Sequence, residues 1–317
     1  MDEIKLDKID RKLLSYVFHN FRKPITKIAK NCHISREQAE YRIEKYEKKG
    51  LIKGYFTFFN LYCLGYTKNY IIRLRVKNPN KEKLSQINPQ EKLLVLTRMH
   101  CYGEWDYILT IFAKEKNNVL DFISRLYDLW KDDLLDYEIF EPIESHFFPL
   151  KIFGNKGEDK TISLIETKKV NIDKLDQKIL EEISNNAKIK IVEIAQKNNE
   201  KVETVNYRLK RLEKSLILGY RIFLDLDTIG YKLAQVILKL NNLSNQNKNK
   251  IIAYANQREK IHACSIGIGN LNTLFQIVYK TPSELSEEIN KIKENFSGNL
   301  IDYQLIHIGN ELNPKTI

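Results

Sequence analysis

Cysteine is scarce in this chain: Cys32, Cys63, Cys101 and Cys264 are the only four in 317 residues. No two form a CxxC pair, so a disulfide scaffold is excluded and free thiols in a reducing cytoplasm are expected. Zinc needs about four clustered ligands. His100-Cys101 and His262 with Cys264 come nearest and read as buried strand residues. No metal and no cofactor are therefore expected. No apolar run reaches the ~18–20 residues of a membrane helix. Asp2, Glu3 and Asp7 stand where a secretory signal would be basic and then apolar. No membrane is expected as a partner. Catalytic signatures are missing too: there is no GxSxG, no P-loop and no pair of carboxylates at a supported spacing. No enzymatic activity is expected.

Negative charge is also short. Asp and Glu number 41 against 52 Lys and Arg, a net +11, which favours a polyanionic partner. Residues 1–60 carry 14 basic and 8 acidic side chains, whereas residues 61–150 carry 12 and 13. Residues 171–230 carry 11 and 10, and 231–317 carry 10 and 7. The excess sits most heavily at the N-terminus.

What the chain has is a repeat. Leu6-Asp7-Lys8-Ile9-Asp10 returns as Ile172-Asp173-Lys174-Leu175-Asp176, an offset of 166. Tyr41-Arg42-Ile43 meets Tyr207-Arg208-Leu209, and Leu134-Leu135-Asp136-Tyr137 meets Leu300-Ile301-Asp302-Tyr303. Solenoid repeats run about 20–50 residues, so this is a duplicated unit of domain size or more.

In the first copy Ile9, Leu13, Leu14 and Val17 fall at helical spacing. Pro24 suits the first turn of a second helix, with Ile25, Ile28 and Ala29 inward. A tight turn follows at Cys32-His33-Ile34, answered by Asn198-Asn199-Glu200. Ser35 is a good N-cap for a third helix ending near Gly50. Two short helices about a tight turn, after a longer one, make a helix-turn-helix. The open face of the third helix presents Arg36, Gln38, Tyr41, Arg42, Lys45, Lys48 and Lys49. Its copy presents Thr204, Asn206, Tyr207, Arg208, Arg211 and Lys214. Arg and Lys meet phosphates, while Gln, Asn and Arg read base edges in the major groove. Double-stranded DNA is the expected partner. By its charge balance, the second head is expected to grip more weakly.

Beyond Tyr55 the period changes. Ile72, Leu74 and Val76 alternate with charges as in a half-buried strand. Helix, strand, strand, helix and strand follow at 81–87, 93–99, 107–112, 119–130 and 135–143. This order is the ferredoxin-like split βαβ. Its open sheet face is expected to pack on another such sheet. The expected domains are 1–60, 61–152, 170–230 and 231–317, with 153–169 as linker. A flexible coil of about 16 residues spans roughly 20–25 Å, which allows the two sheets to pair within one chain.

Each copy resembles a regulator of the Lrp/AsnC family, and the duplicated form is similar to tandem regulators of archaeal type. Leu6–Leu14, Ser35–Tyr55 and His100–Leu109 carry the likeness. It implies an α+β fold in which two winged-helix/helix-turn-helix domains alternate with two ferredoxin-like RAM domains. It also implies a transcription regulator that responds to an amino acid or other small effector. Gly103 and Asp106 match the family's effector turn, and Gly269 and Asn272 are their copies, with Asn in place of Asp. Larger homo-oligomers are the alternative to an intramolecular RAM pair. The rival reading is a siroheme-decarboxylase-like tetrapyrrole enzyme or sensor. His100 and Tyr102 suit it, but the Trp-Pro-Tyr-Asn stretch expected after that His is missing.

Overall fold

The computed structural model describes residues 3–87, 92–154 and 161–312. The first copy runs α1 (Lys8–Asn20), α2 (Ile25–Cys32), α3 (Arg36–Lys48) and β1 (Ile52–Phe59). It continues with β2 (Lys68–Val76), α4 (Lys81–Gln86), β3 (Leu93–Tyr102), β4 (Tyr107–Ala113), α5 (Lys116–Trp130) and β5 (Leu134–Phe147). A short strand β6 (Ile162–Ile165) precedes the second copy. That copy runs α6 (Lys174–Asn185), α7 (Ile191–Lys197), α8 (Val202–Ser215), β7 (Ile217–Leu224) and β8 (Lys232–Leu240). It ends with α9 (Asn245–Gln257), β9 (Ile261–Ile268), β10 (Thr273–Tyr279), α10 (Pro282–Phe296) and β11 (Leu300–Leu312).

The local signals act as their chemistry dictates. Asp7 and Asp10 form a capping box on α1, and Asp173 and Asp176 form the same box on α6. His33 and Asn199 take the left-handed conformation in the tight turns, at φ 57° and 55°. That geometry lets the chain leave one helix and enter the next within a few residues.

The two ferredoxin-like sheets have the strand orders β5-β2-β4-β3 and β11-β8-β10-β9. They pack face to face, as expected, and they also join at both edges. β3 pairs with β11 and β5 pairs with β9, all antiparallel. Eight strands therefore close on themselves. An unpaired sheet edge leaves a row of unmet N–H and C=O groups, and closure removes it. Side chains from both copies share the interior, among them Ile71, Ile108, Phe140, Ile237, Leu274 and Ile306. Helices α4 and α5 cover the first sheet from outside, and α9 and α10 cover the second.

β1 and β7 pair with each other as a separate two-stranded ribbon. The heads then cross over. Leu13, Val17 and Ile28 of the first head pack with Ile222, Leu224 and Ile229 of the second copy. Ile179, Ile194 and Leu209 of the second head pack with Phe59, Leu61 and Phe112 of the first. Each head is thus seated on the other copy's framework.

The expected linker, 153–169, is more structured than its composition suggests. Phe153 is buried in the first head's core, and β6 adds to the edge of β5 with Leu164 buried. Residues 155–160 lie outside the described residues. Ile9, expected inward on α1, is exposed.

Candidate nucleic-acid interface

The third helix of each head is placed by its apolar side. Ala39 and Tyr46 anchor α3, and Val205, Leu209 and Leu212 anchor α8. What remains faces outward. Arg36, Gln38, Tyr41, Lys48 and Lys49 are exposed on α3, as are Tyr207, Arg211 and Lys214 on α8. Tyr41 and Tyr207 stand at equivalent positions, 68% and 71% exposed. Two large aromatic rings are thus left in water at the same place in both copies. Thr204 and Asn206 are half-buried. Lys210, exposed on α8, was missed by the sequence reading. Its signal was available: a basic residue three positions beyond Tyr207.

Three of the arginines have other employment. Arg42 lies across the start of α1 and binds both Asp7, at 2.9 Å, and the buried Asp10. Arg208 binds Asp173 and Asp176 in the same way, and Arg211 adds a second guanidinium to Asp176. Arg208 holds the Asp173 carboxyl down to about 2, from an ordinary 3.8. Burial pushes Asp7 up, but the Asp10 backbone N–H and Arg42 outweigh it, and its carboxyl sits below the ordinary range. Arg42, Arg208 and Arg211, expected to face phosphate, are thus each engaged with an aspartate of the same head. Each pairs within its own head, because its helix crosses α1 or α6 at the aspartate-bearing end.

Other candidates are partly engaged. The Gln38 side-chain oxygen accepts from the Ser35 N–H at 3.1 Å in a capping box. Arg36 pairs with Glu40 at 2.9 Å, and Lys45 lies over the Tyr46 ring. Lys48 approaches Glu44 at 3.9 Å, a distance at which exposed charges interact weakly. Lys49, Lys210 and Lys214 make no ion pair among the described residues.

The heads touch where α1 ends. Arg22 donates to the Ala187 carbonyl at 2.6 Å and lies over the Tyr220 ring. Lys188 lies over the Tyr55 ring and pairs with Glu47 at 2.9 Å. Cation on aromatic ring therefore recurs on both sides of the junction.

The expected effector turns have internal partners. Gly103 has φ +121°, a conformation suited to glycine. Asp106 Oδ2 accepts from the Val76 N–H at 2.8 Å. Asn272 accepts from the Leu240 N–H and donates to the Leu240 carbonyl. Both side chains tie the hairpin to the neighbouring strand, and Gly269 sits in the matching turn. Among the described residues, no group of three His, Cys, Asp or Glu could hold a metal ion. None of the described helices is long and apolar enough to cross a membrane.

Comparison with known proteins matches both heads to helix-turn-helix families. The AsnC-type helix-turn-helix domain family matches residues 6–47, and the winged helix-turn-helix DNA-binding family matches residues 172–215. The HTH-type transcriptional regulator LrpA of Pyrococcus horikoshii is 27% identical over 122 residues, 38% of this chain and 84% of that protein. The regulator Ptr1 of Methanocaldococcus jannaschii is 28% identical over 127 residues, 39% of this chain and 84% of that protein. Among solved structures, the siroheme decarboxylase NirDL superposes with a TM-score of 0.61. That match is 13% identical and covers 96% of this chain and 92% of that one, which is a likeness of fold alone.

Proposed function

Taking as premise that the chain is a duplicated helix-turn-helix protein of the Lrp/AsnC type, we propose that it reads double-stranded DNA as a pseudo-dimer. One polypeptide supplies both heads, and the two outward helices α3 and α8 enter the major groove at unlike half-sites. The observation that carries this reading is the pair of exposed third helices, each following a tight left-handed turn. The contacts pass to Arg36, Gln38, Tyr41, Lys48 and Lys49 in one head. In the other they pass to Thr204, Asn206, Tyr207, Lys210 and Lys214. Arg42, Arg208 and Arg211 hold the heads in shape. The protein acts by binding rather than by catalysis. An amino-acid effector at Gly103 and Asp106 would have to share Asp106 with the Val76 N–H.

The test is recovery of genomic fragments by the full chain, followed by salt titration on the tightest one. Affinity should fall with salt by a slope of about 0.9 per phosphate contact. Salt-independent binding, or none at low salt, would overturn the proposal.

The likeness of fold to NirDL keeps a tetrapyrrole reading in view. The cleft between barrel and ribbon is about 210 Å³, below the roughly 300–1,000 Å³ usual even for drug-sized ligands, whereas the groove between the heads is about 540 Å³. His100 packs on Tyr102 and Tyr107 and does not line that cleft. Addition of sirohaem should leave its visible spectrum unshifted; a shift would favour the enzyme reading.

A further inference from the structure

The cleft between barrel and ribbon is a chamber. Its floor is the inner face of the barrel, and its roof is the β1–β7 ribbon with Phe18 of α1. An apolar cavity of about 150 Å³ is enough to take up benzene, so about 210 Å³ holds one ring with a short side arm. Most of the wall is hydrocarbon, with Phe58, Phe112, Ile71, Met99 and Leu164 among its residues. Yet Asn69 Oδ1, Gln235 Oε1 and His262 Nδ1 are buried there without a hydrogen-bond partner among the described residues. Asn69 and Gln235 are only 5% and 4% exposed. Buried polar groups are paired almost throughout folded proteins, so unmet amides that line a cavity point to a guest.

The registers show that the polar groups gather on the second copy's side. Gln235 of β8 lies opposite Gln276 of β10, and Gln276 lies opposite Ala263 of β9. The register slips between Gln276 and Ile277, which leaves His262 as the extra residue of a bulge; a bulge re-aims the side chain it carries. Gln235, Gln276 and His262 thus stand on three neighbouring strands. At the matching places the first copy has Ile71 opposite Thr110, and Met99 where the second has Ser265. Thr110 binds Thr97 at 2.8 Å, and Ser265 binds Ser145 at 2.8 Å. Those hydroxyls are paired with each other, whereas the Gln235 amide oxygen is not.

Charge decides what the guest is not. No Asp or Glu stands among the lining residues described, so an ammonium finds no counter-charge. Arg221 also lines the chamber, but its guanidinium lies 4.6–6.0 Å from the ring centroids of Phe18, Phe56, Phe58 and Phe147 and makes a further interaction besides. It is an engaged cation, not a vacant anchor for an anion. Burial, and then the Arg221 charge, push His262 down to about 3, so its ring is neutral. The unmet atoms therefore belong to neutral groups. A hydroxyl both donates and accepts, so it meets an amide whichever way the amide is turned, and a neutral imidazole in either tautomer.

We propose that the chamber binds a small uncharged alcohol or phenol. The hydroxyl meets Gln235, with His262 on the strand next but one, and the hydrocarbon body rests on Ile71, Met99 and Phe58. The hairpin turns at Gly103 and Gly269 do not line this site. It lies under the ribbon that carries both heads, and its occupancy is read without DNA.

The experiment is calorimetric titration of the full chain with phenol, benzyl alcohol and 2-phenylethanol, with toluene, benzoate and benzylammonium as controls. At least one of the three hydroxyl compounds should bind saturably at one site per chain, with every control weaker by about tenfold or more. Gln235→Leu replaces an unmet buried amide by hydrocarbon, so it should resist urea at least as well as the parent chain. It should bind the best hydroxyl compound about tenfold more weakly and toluene no worse. Ser265→Leu, which narrows the chamber from the polar side, should block binding altogether. The proposal is overturned if none of the three hydroxyl compounds saturates, or if toluene, benzoate or benzylammonium binds as well. It is overturned too if Gln235→Leu keeps the parent's preference over toluene, or if that variant fails to fold, since the amide would then have a partner in the parent.

Discussion

The two heads have the same three-helix plan and open their third helices differently. Ser35 caps α3 and forms a reciprocal box with Gln38. Lys201 stands at the same place before α8 and offers no side-chain cap. A missing cap costs about 0.5–2 kcal/mol, and the second head forms regardless. Its third helix is held by Val205, Leu209 and Leu212 against the first copy's framework. What both copies keep is the aspartate pair at the head of the first helix, with an arginine lying across it. They also keep the left-handed turn residue and the outward tyrosine. Packing and the buried ion pair outweigh the cap, so divergence is tolerated where each head is only locally stabilised.

The seams between copies should show the largest asymmetry. A Cβ on Gly267 would lie 2.1 Å from the Glu141 carbonyl oxygen across the β5–β9 seam. Gly267→Ala must push backbone apart, with an expected cost of about 3 kcal/mol or more. Cys101, its counterpart on the β3–β11 seam, is already accommodated, and Cys101→Ala should cost about 1 kcal/mol. Urea unfolding of the two variants decides this; equal losses would mean that the seams are alike.

Next come the aspartates. Asp10→Ala and Asp176→Ala each break the reciprocal capping box and remove the buried carboxylate beneath the arginine, leaving Asp7 and Asp173 to hold Arg42 and Arg208, at an expected cost of about 1–2 kcal/mol. Arg42→Ala should likewise lower the unfolding midpoint while leaving the salt slope of DNA binding unchanged. A loss of slope with intact stability would return Arg42 to the phosphate contacts. The second head also has an acid signature. Asp173 is depressed in the folded state, so its stabilising effect is complete above its ordinary 3.8 and disappears as pH falls toward about 2. Carbon-detected titration of Asp173 should show a midpoint near 2, well below the ordinary 3.8.

On DNA, Lys48→Ala with Lys49→Ala should reduce the salt slope by about 2, one unit per phosphate contact. Lys210→Ala with Lys214→Ala tests the second head on the same fragment. A smaller change there would agree with its lower net charge, and an equal change would make the heads equivalent in grip.

The smallest effect should be a gain. Lys201 already has the extended backbone of an N-cap, at φ −73° and ψ 142°. Lys201→Ser should stabilise the second head by about 0.5–1 kcal/mol. No gain would show that the α8 N–H groups are already satisfied.

Much of this protein is legible without coordinates. The duplication, the helix faces, the Ser35 cap, the left-handed turn and the βαββαβ order all follow from short-range spacing and backbone preference, and the fold has them. The candidate DNA surface is legible as a face but not as a set of contacts. Arg42 and Tyr41 look alike on a helical projection. The difference is that Asp7 and Asp10 sit beneath Arg42 in space, 35 and 32 residues away in sequence. Composition made 153–169 a linker, because four strand residues whose partner is the edge of β5 carry no periodicity of their own.

The amino-acid order by itself determined two copies, each a head followed by a ferredoxin-like unit, since caps, turns and periodicity act within a few residues. Tertiary structure alone decided that the sheets close into one barrel and that each head sits on the other copy. It alone decided that Gln235, His262 and Arg221 meet in one chamber. Those outcomes join strands more than a hundred residues apart, where the driving force is satisfaction of sheet edges and burial of shared apolar surface, and neither leaves a local mark on the chain.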